Sequence, residues 1–245
     1  MRPFRFIPSF VAQLSAAALG LLPLPGRAAT WPANNPPKTT IGLAPPATGG
    51  TVLWNGRDIE GWAIFLKDPK VDPRSVWSVA DGALHLTGQP YGYLRSAKAY
   101  GNYHLHVEWR YPAGSAASSN SGVFVLVHGP DAIWPSGIEC QLRAGEAGQM
   151  IGTDTILPGA PFIRAKWRAP ALHPPQEKAF GEWNAYDIFC RDQVVEVWVN
   201  SVLQNRFTGV TFTSDPGLRF LKGSILLQLE GAPIDFRNIW LEGLF

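Results

Sequence analysis

The feature that most constrains this chain is a rhythm of short runs that alternate apolar and polar residues between turn signals. The runs fall at 76–79, 83–87, 91–96, 103–111, 122–127, 137–143, 183–191, 194–200, 202–208, 224–230 and 234–242. Alternation with a period of two sends successive side chains to opposite faces of a strand, so each run reads as a β-strand with one buried face. Asp81-Gly82 between VWSV and ALHLT is a hairpin turn, and Arg191-Asp192-Gln193 and Asn200-Ser201 read as turns of the same kind. No stretch of a dozen residues keeps a helical apolar period, so helix content is expected to be low. So many short strands in 245 residues predict an all-β antiparallel sandwich or jelly roll.

Three segments break this rhythm. Residues 1–28, MRPFRFIPSFVAQLSAAALGLLPLPGRA, carry Arg2 and Arg5 ahead of an apolar run that ends near small residues, the pattern of a secretory signal peptide. Pro8, Gln13, Pro23 and Pro25 interrupt the run, which argues against a transmembrane helix, and no Cys follows it to carry a lipid anchor. Export to a periplasm or to the medium is therefore expected, with a bacterial source. Residues 29–50 are rich in Pro, Gly, Thr and Asn and read as an extended lead-in to one sandwich domain over 51–245. The stretch from Ile151 to Phe180 holds five prolines (158, 161, 170, 174 and 175) and is long for a plain connection, so it is expected to wall a binding site.

The formal charge of +2 becomes −1 once Arg2, Arg5 and Arg27 leave with the leader, and nothing supports a nucleic-acid partner. An oxidising compartment permits a Cys140–Cys190 disulfide, although both cysteines sit in strand-like runs where buried free thiols are at least as common.

Two strands carry polar pairs on one face. In IWPSGIECQL, Glu139 and Gln141 point one way, while Ile138, Cys140 and Leu142 point the other. In SILLQLE, Gln228 and Glu230 repeat the arrangement against Ile225, Leu227 and Leu229. Carboxylates and amides on a sheet face hydrogen-bond sugar hydroxyls, and aromatic rings pack on the apolar faces of pyranoses. Trp134, Trp183 and Trp198 are possible platforms, and His128 and Arg95 are further substrate-binding candidates. Spacing alone leaves a catalytic cleft and a lectin-like groove equally open. In NYHLHVEWRY the polar row is His104, His106, Glu108 and Arg110, which is either solvated surface or the lining of a groove. A His-x-His pair can chelate a divalent metal, with Glu108 completing the set.

Several segments in order resemble one family. LWNGRDIEGW, VWSVADGALHLTG, YGYLRSAKAYGNYHLHVEWR, SSNSGVFVLVHG, IECQL, GEWNAYDIFCRDQVVEVWVN and LLQLEGAPIDFRNIWL match the pattern of the 3-keto-disaccharide hydrolase-like domain, the 3-keto-glucoside hydrolase and lyase family. The resemblance covers about 51–245 and implies a concanavalin A-like jelly-roll sandwich in an exported protein. Two places depart from the pattern. Val125-Leu126-Val127 stands where many relatives carry an Arg, and Gln228-Leu229-Glu230-Gly231 stands where many carry Gln-x-His-Gly with a metal-binding His.

The resemblance also implies a chemistry. A ketone at C3 of a glucoside acidifies the C2 proton, so the C1 substituent departs by elimination and water adds afterwards. That requires a base, a group that stabilises charge on the C3 oxygen, and an acid for the leaving oxygen. Glu139 is the expected base and Gln141 or a divalent metal the charge stabiliser. Glu230, Glu108 or His128 is the expected acid. The E-x-D-x-x-E motif of sandwich-fold laminarinases is absent from the sequence, as are a Ser-His-Asp arrangement and a phosphate loop.

Overall fold

The computed structural model describes residues 41–42, 44–46, 49–218 and 221–244. The signal-peptide expectation and most of the lead-in lie outside the described residues. Among them there is no α-helix, only a 3-10 turn at Pro73–Ser75.

In chain order the strands are β1 (Gly50–Val52), β2 (Trp62–Leu66), β3 (Trp77–Ala80), β4 (Ala83–Leu86), β5 (Gly92–Ser96), β6 (Tyr103–Arg110), β7 (Gly122–His128), β8 (Ser136–Gln141) and β9 (Met150–Thr153). There follow β10 (Thr155–Ile156), β11 (Phe162–Ile163), β12 (Lys166–Ala169), β13 (Asn184–Arg191), β14 (Val194–Val199), β15 (Val202–Phe207), β16 (Thr211–Phe212), β17 (Ser224–Leu229) and β18 (Ile234–Gly243). They form an antiparallel sandwich. One sheet runs β15-β14-β13-β6-β18-β4-β3, with β1 also on β18. The other runs β11-β12-β9-β8-β7-β17-β5-β2, and β10 pairs with β16 separately.

The expected hairpins close as their residues dictate. Asp81 and Gly82 have φ of 51° and 68°, and Asn200 and Ser201 have φ of 47° and 70°. Two consecutive left-handed residues match the twist of the strands they join. Between the sheets, Leu105, Val107 and Trp109 of β6 and Tyr186 and Ile188 of β13 meet Val123, Val125, Ile138, Cys140, Ile225 and Leu227 of the second sheet. Both cysteines are buried free thiols. The disulfide does not form, and burial pushes the Cys190 thiol up to about 12.

The polar row of β6 is mostly buried: only Arg110 is partly exposed, and Glu108 lines a cavity beside Arg237 and Asn238. His106, Glu108 and Asp187 are each 0 % exposed on the outer face of the first sheet. The β6–β13 register puts Asp187 opposite His106, and its Oδ1 lies 2.7 Å from His104 Nε2 and 3.0 Å from His106 Nδ1. The His106 ring stacks on Trp240, and His104 stacks on Phe189. Glu108 binds Arg237 Nε at 2.7 Å and Asn238 Nδ2 at 3.0 Å, and accepts from the Gly42 amide. These donors hold Glu108 at about 2 despite its burial. Trp183 is clamped on the same sheet between the guanidinium groups of Arg110 and Arg237.

Candidate functional site

Glu139 and Gln141 lie on the outer face of the second sheet, as their alternation requires. β8 sits between β7 and β9, and the register sets Phe124 and Ile151 beside Glu139 and Gly122 beside Gln141. β17 follows β7 and brings Gln228 to the same face, where its register partner on β5 is Tyr93. Gly122 makes this approach possible. A Cβ there would lie 2.9 Å from Gln228 Oε1 and 3.1 Å from Glu139 Cγ, so any side chain at this position would push the Gln228 amide and the Glu139 carboxyl out of place.

Half of this face is filled. Tyr93, Phe124, Val127 and Leu226 form a buried apolar cluster with Phe65 packed against it. The connection from β7 to β8 is tied over it by Asp131, which accepts from the Tyr93 hydroxyl and pairs with Arg95, both at 2.7 Å. Farther along the same connection, Trp134 Nε1 donates to Glu230 at 3.4 Å. The rest of the face is an open cavity of about 460 Å³ lined by Trp134, Glu139, Gln141, Ile151, Lys166, Arg168 and Glu230, among others. That volume is in the range of small-molecule sites.

The polar groups are held in specific orientations. The Arg143 amide donates to Gln141 Oε1 at 2.8 Å, which turns the Gln141 NH2 toward Glu139 Oε1 at 3.3 Å. Glu139 is 3 % exposed. Its burial and then the nearby Glu230 charge raise its pKa to about 8, against the opposing pull of Lys166, Arg168 and Gln141. Burial also raises Glu230. Two carboxylates displaced upward in one cavity, beside a lysine lowered by burial, are the arrangement proton-transfer sites show. Asn120 Oδ1, in the cavity wall, and Gln228 Oε1, packed against Gly122 on the same sheet face, are buried without a hydrogen-bond partner. A second cavity of about 510 Å³ is lined mostly by apolar groups, and the Oε1 of its Glu177 is taken by the Gly145 and Ala147 amides.

Glu139, Gln141, Gln228, Glu230 and Trp134 thus come together. The other sequence candidates do not join them. Glu108, His104 and His106 lie in the other sheet, as does Trp198, and Trp183 is clamped beside it. Arg95 is held by Asp131, and His128 stacks on Phe212 with Nδ1 3.0 Å from the Leu126 carbonyl. Arg164, Lys166 and Arg168 join this cavity without being among the sequence candidates. They alternate through the β11–β12 hairpin, a spacing readable in RAKWR but embedded in a proline-rich stretch.

A divalent metal does not fit the residues present. Among the described residues no group of three or more His, Cys, Asp or Glu is arranged to hold one. His104 and His106 share Asp187 instead, and the carboxylates of the cavity face cations.

Structural comparison finds the same fold in several proteins. A glycosyl-hydrolase candidate from Parabacteroides distasonis ATCC 8503 is 23% identical with a TM-score of 0.55, over 80% of this chain and 94% of that one. The β-glucanase of Bacillus licheniformis is 13% identical with a TM-score of 0.53, over 82% and 100%. The carbohydrate-binding module CBM66 of Bacillus subtilis is 9% identical with a TM-score of 0.51, over 75% and 96%. No curated protein matches the sequence. The 3-keto-alpha-glucoside-1,2-lyase-like domain matches residues 49–242, from the first strand nearly to the end of the last, and the chain belongs to that family.

Proposed function

We propose that this protein cleaves the glycosidic bond of a 3-keto-glycoside in the Glu139 cavity. The observation that carries this reading is a buried carboxyl, Glu139, held beside an oriented amide and near the Lys166 charge in an open cavity. The Glu139 carboxylate removes the C2 proton, and the C2–H electron pair moves into an enolate on the C3 oxygen. The charge that develops there is met by Lys166 and by the Gln141 NH2, both fixed before the substrate arrives. Collapse of the enolate forms a C1=C2 bond and expels the C1 oxygen, which takes a proton from Glu230. Water then adds at C1 and gives its proton to the ionised Glu230, while Glu139, having exchanged its proton with solvent through the open cavity, delivers one to C2, so both carboxyls return to their starting states.

Burial of Glu139 suits a base for a carbon acid. A carboxylate near 8 is a stronger base than one near 4.5, while still about a tenth ionised at pH 7. Trp134, 46 % exposed at the rim, offers a ring to the sugar's apolar face.

The test is product release from a panel of plain and 3-keto glycosides by the wild type and the Glu139→Gln variant. Release from the 3-keto members by the wild type alone is the expected result. Binding without turnover by both proteins makes the domain a carbohydrate-binding module and overturns the proposal.

A further inference from the structure

The β11–β12 hairpin presents more positive charge to the cavity than the elimination uses. Arg164, Lys166 and Arg168 all line it, two residues apart along one edge of the sheet. Arg143 lines it too but lies 3.4 Å from Glu146. Among the described residues, none of Arg164, Lys166 and Arg168 has a carboxylate within ion-pair distance. Arg168 Nε is buried with no hydrogen-bond partner, and a buried N–H donor left unpaired is costly. The turn that carries Arg164 is strained. Arg164 and Ala165 adopt φ of 52° and 59°, a left-handed pair that usually calls for Asn-Gly. Strain of this kind persists where the position of a side chain matters.

We infer that the cavity selects an acidic sugar, one whose ring carries a carboxylate or a sulfate ester that Arg164 and Arg168 bind. This rests on the glycoside reading and adds a substrate class to it. A guanidinium matches a two-oxygen anion through paired N–H donors, whereas Lys166 remains directed at the reacting oxygen as a point charge. A neutral glucoside would enter the same cavity and leave Arg168 unpaired.

Binding is measured calorimetrically in the Glu139→Gln background, where no turnover intervenes, with methyl β-D-glucuronide, glucose 6-sulfate and methyl β-D-glucoside. At least one anionic sugar is expected to bind ten-fold or more tightly than the glucoside. Its affinity should fall as salt rises, while that of the glucoside should not. Which anion wins distinguishes the carboxylate from the sulfate. Arg164→Gln, at an exposed position, and Arg168→Gln should each bring the anionic sugar down toward the glucoside. Equal or tighter binding of the glucoside, or an unchanged preference in both Arg variants, overturns the inference and leaves the glycoside reading standing. No binding of any of the three overturns the inference, and turnover of a 3-keto-glucoside by the wild type decides the glycoside reading separately.

Discussion

Replacing Glu139 with Gln should stabilise the fold at neutral pH, and the size of the effect follows from the burial of the carboxyl. A free Glu ionises near 4.5, whereas burial and the Glu230 charge raise Glu139 to about 8 in the folded protein. The folded state therefore holds this proton more tightly than the unfolded chain. Below about pH 4 the group is protonated in both states and contributes no difference. As pH rises from there toward 8 the unfolded chain releases the proton first, so stability is lost steadily, and above 8 the loss is complete. At pH 7 the two values correspond to a loss of about 3 kcal/mol. A glutamine has the same shape, still accepts from the Gln141 NH2 and does not titrate. The variant should melt roughly 6–12 °C above the wild type at pH 7 for a domain of this size. At pH 4 the two should melt together. Thermal unfolding followed by circular dichroism from pH 4 to 8 provides the curves. Parallel curves, or a difference that widens toward acid, would refute a carboxyl held neutral by burial.

Three other outcomes follow from the same geometry. His106→Ala leaves the buried Asp187 without one of its two imidazole partners and should cost about 3–5 kcal/mol, with sugar affinity unchanged; lost affinity at unchanged stability would contradict the placement. Both thiols should resist a disulfide-exchange reagent in the native protein and react fully after denaturation; fast native reaction would refute their burial. In a Glu230→Gln background with a substrate whose leaving group needs no acid, kcat/KM should climb with pH and level off above about 8 if Glu139 is the base, whereas a fall over that range would assign it the acid's role.

Much of the sandwich was legible because period-two alternation and tight-turn residues are local signals. The strands expected from alternation appear within one or two residues at each end, with Asp81-Gly82 and Asn200-Ser201 turning as their types require. β2 escaped notice because WAIFL has no alternation, and β9 to β12 because prolines flank them. The pairing of Glu139–Gln141 with Gln228–Glu230 was readable, since each pair needs only its own strand and two strands of the same sheet. Whether the row on β6 was wet or dry was not readable. Its fate depends on Asp187 and Trp240, which approach only when β13 and β18 flank β6. Lys166 and the arginines beside it were hidden for a similar reason, because a hairpin's face acquires meaning only when its neighbour β9 places it over Glu139.

The measurement closest to the central claim is the fate of the C2 hydrogen when a 3-keto-glucoside is turned over in D2O and followed by proton NMR. Deprotonation by Glu139 predicts a sugar product carrying deuterium at C2, formed faster than in the enzyme-free control and not formed by Glu139→Gln. A product released by the enzyme with its C2 hydrogen retained would contradict the account and assign the bond cleavage to direct displacement at C1.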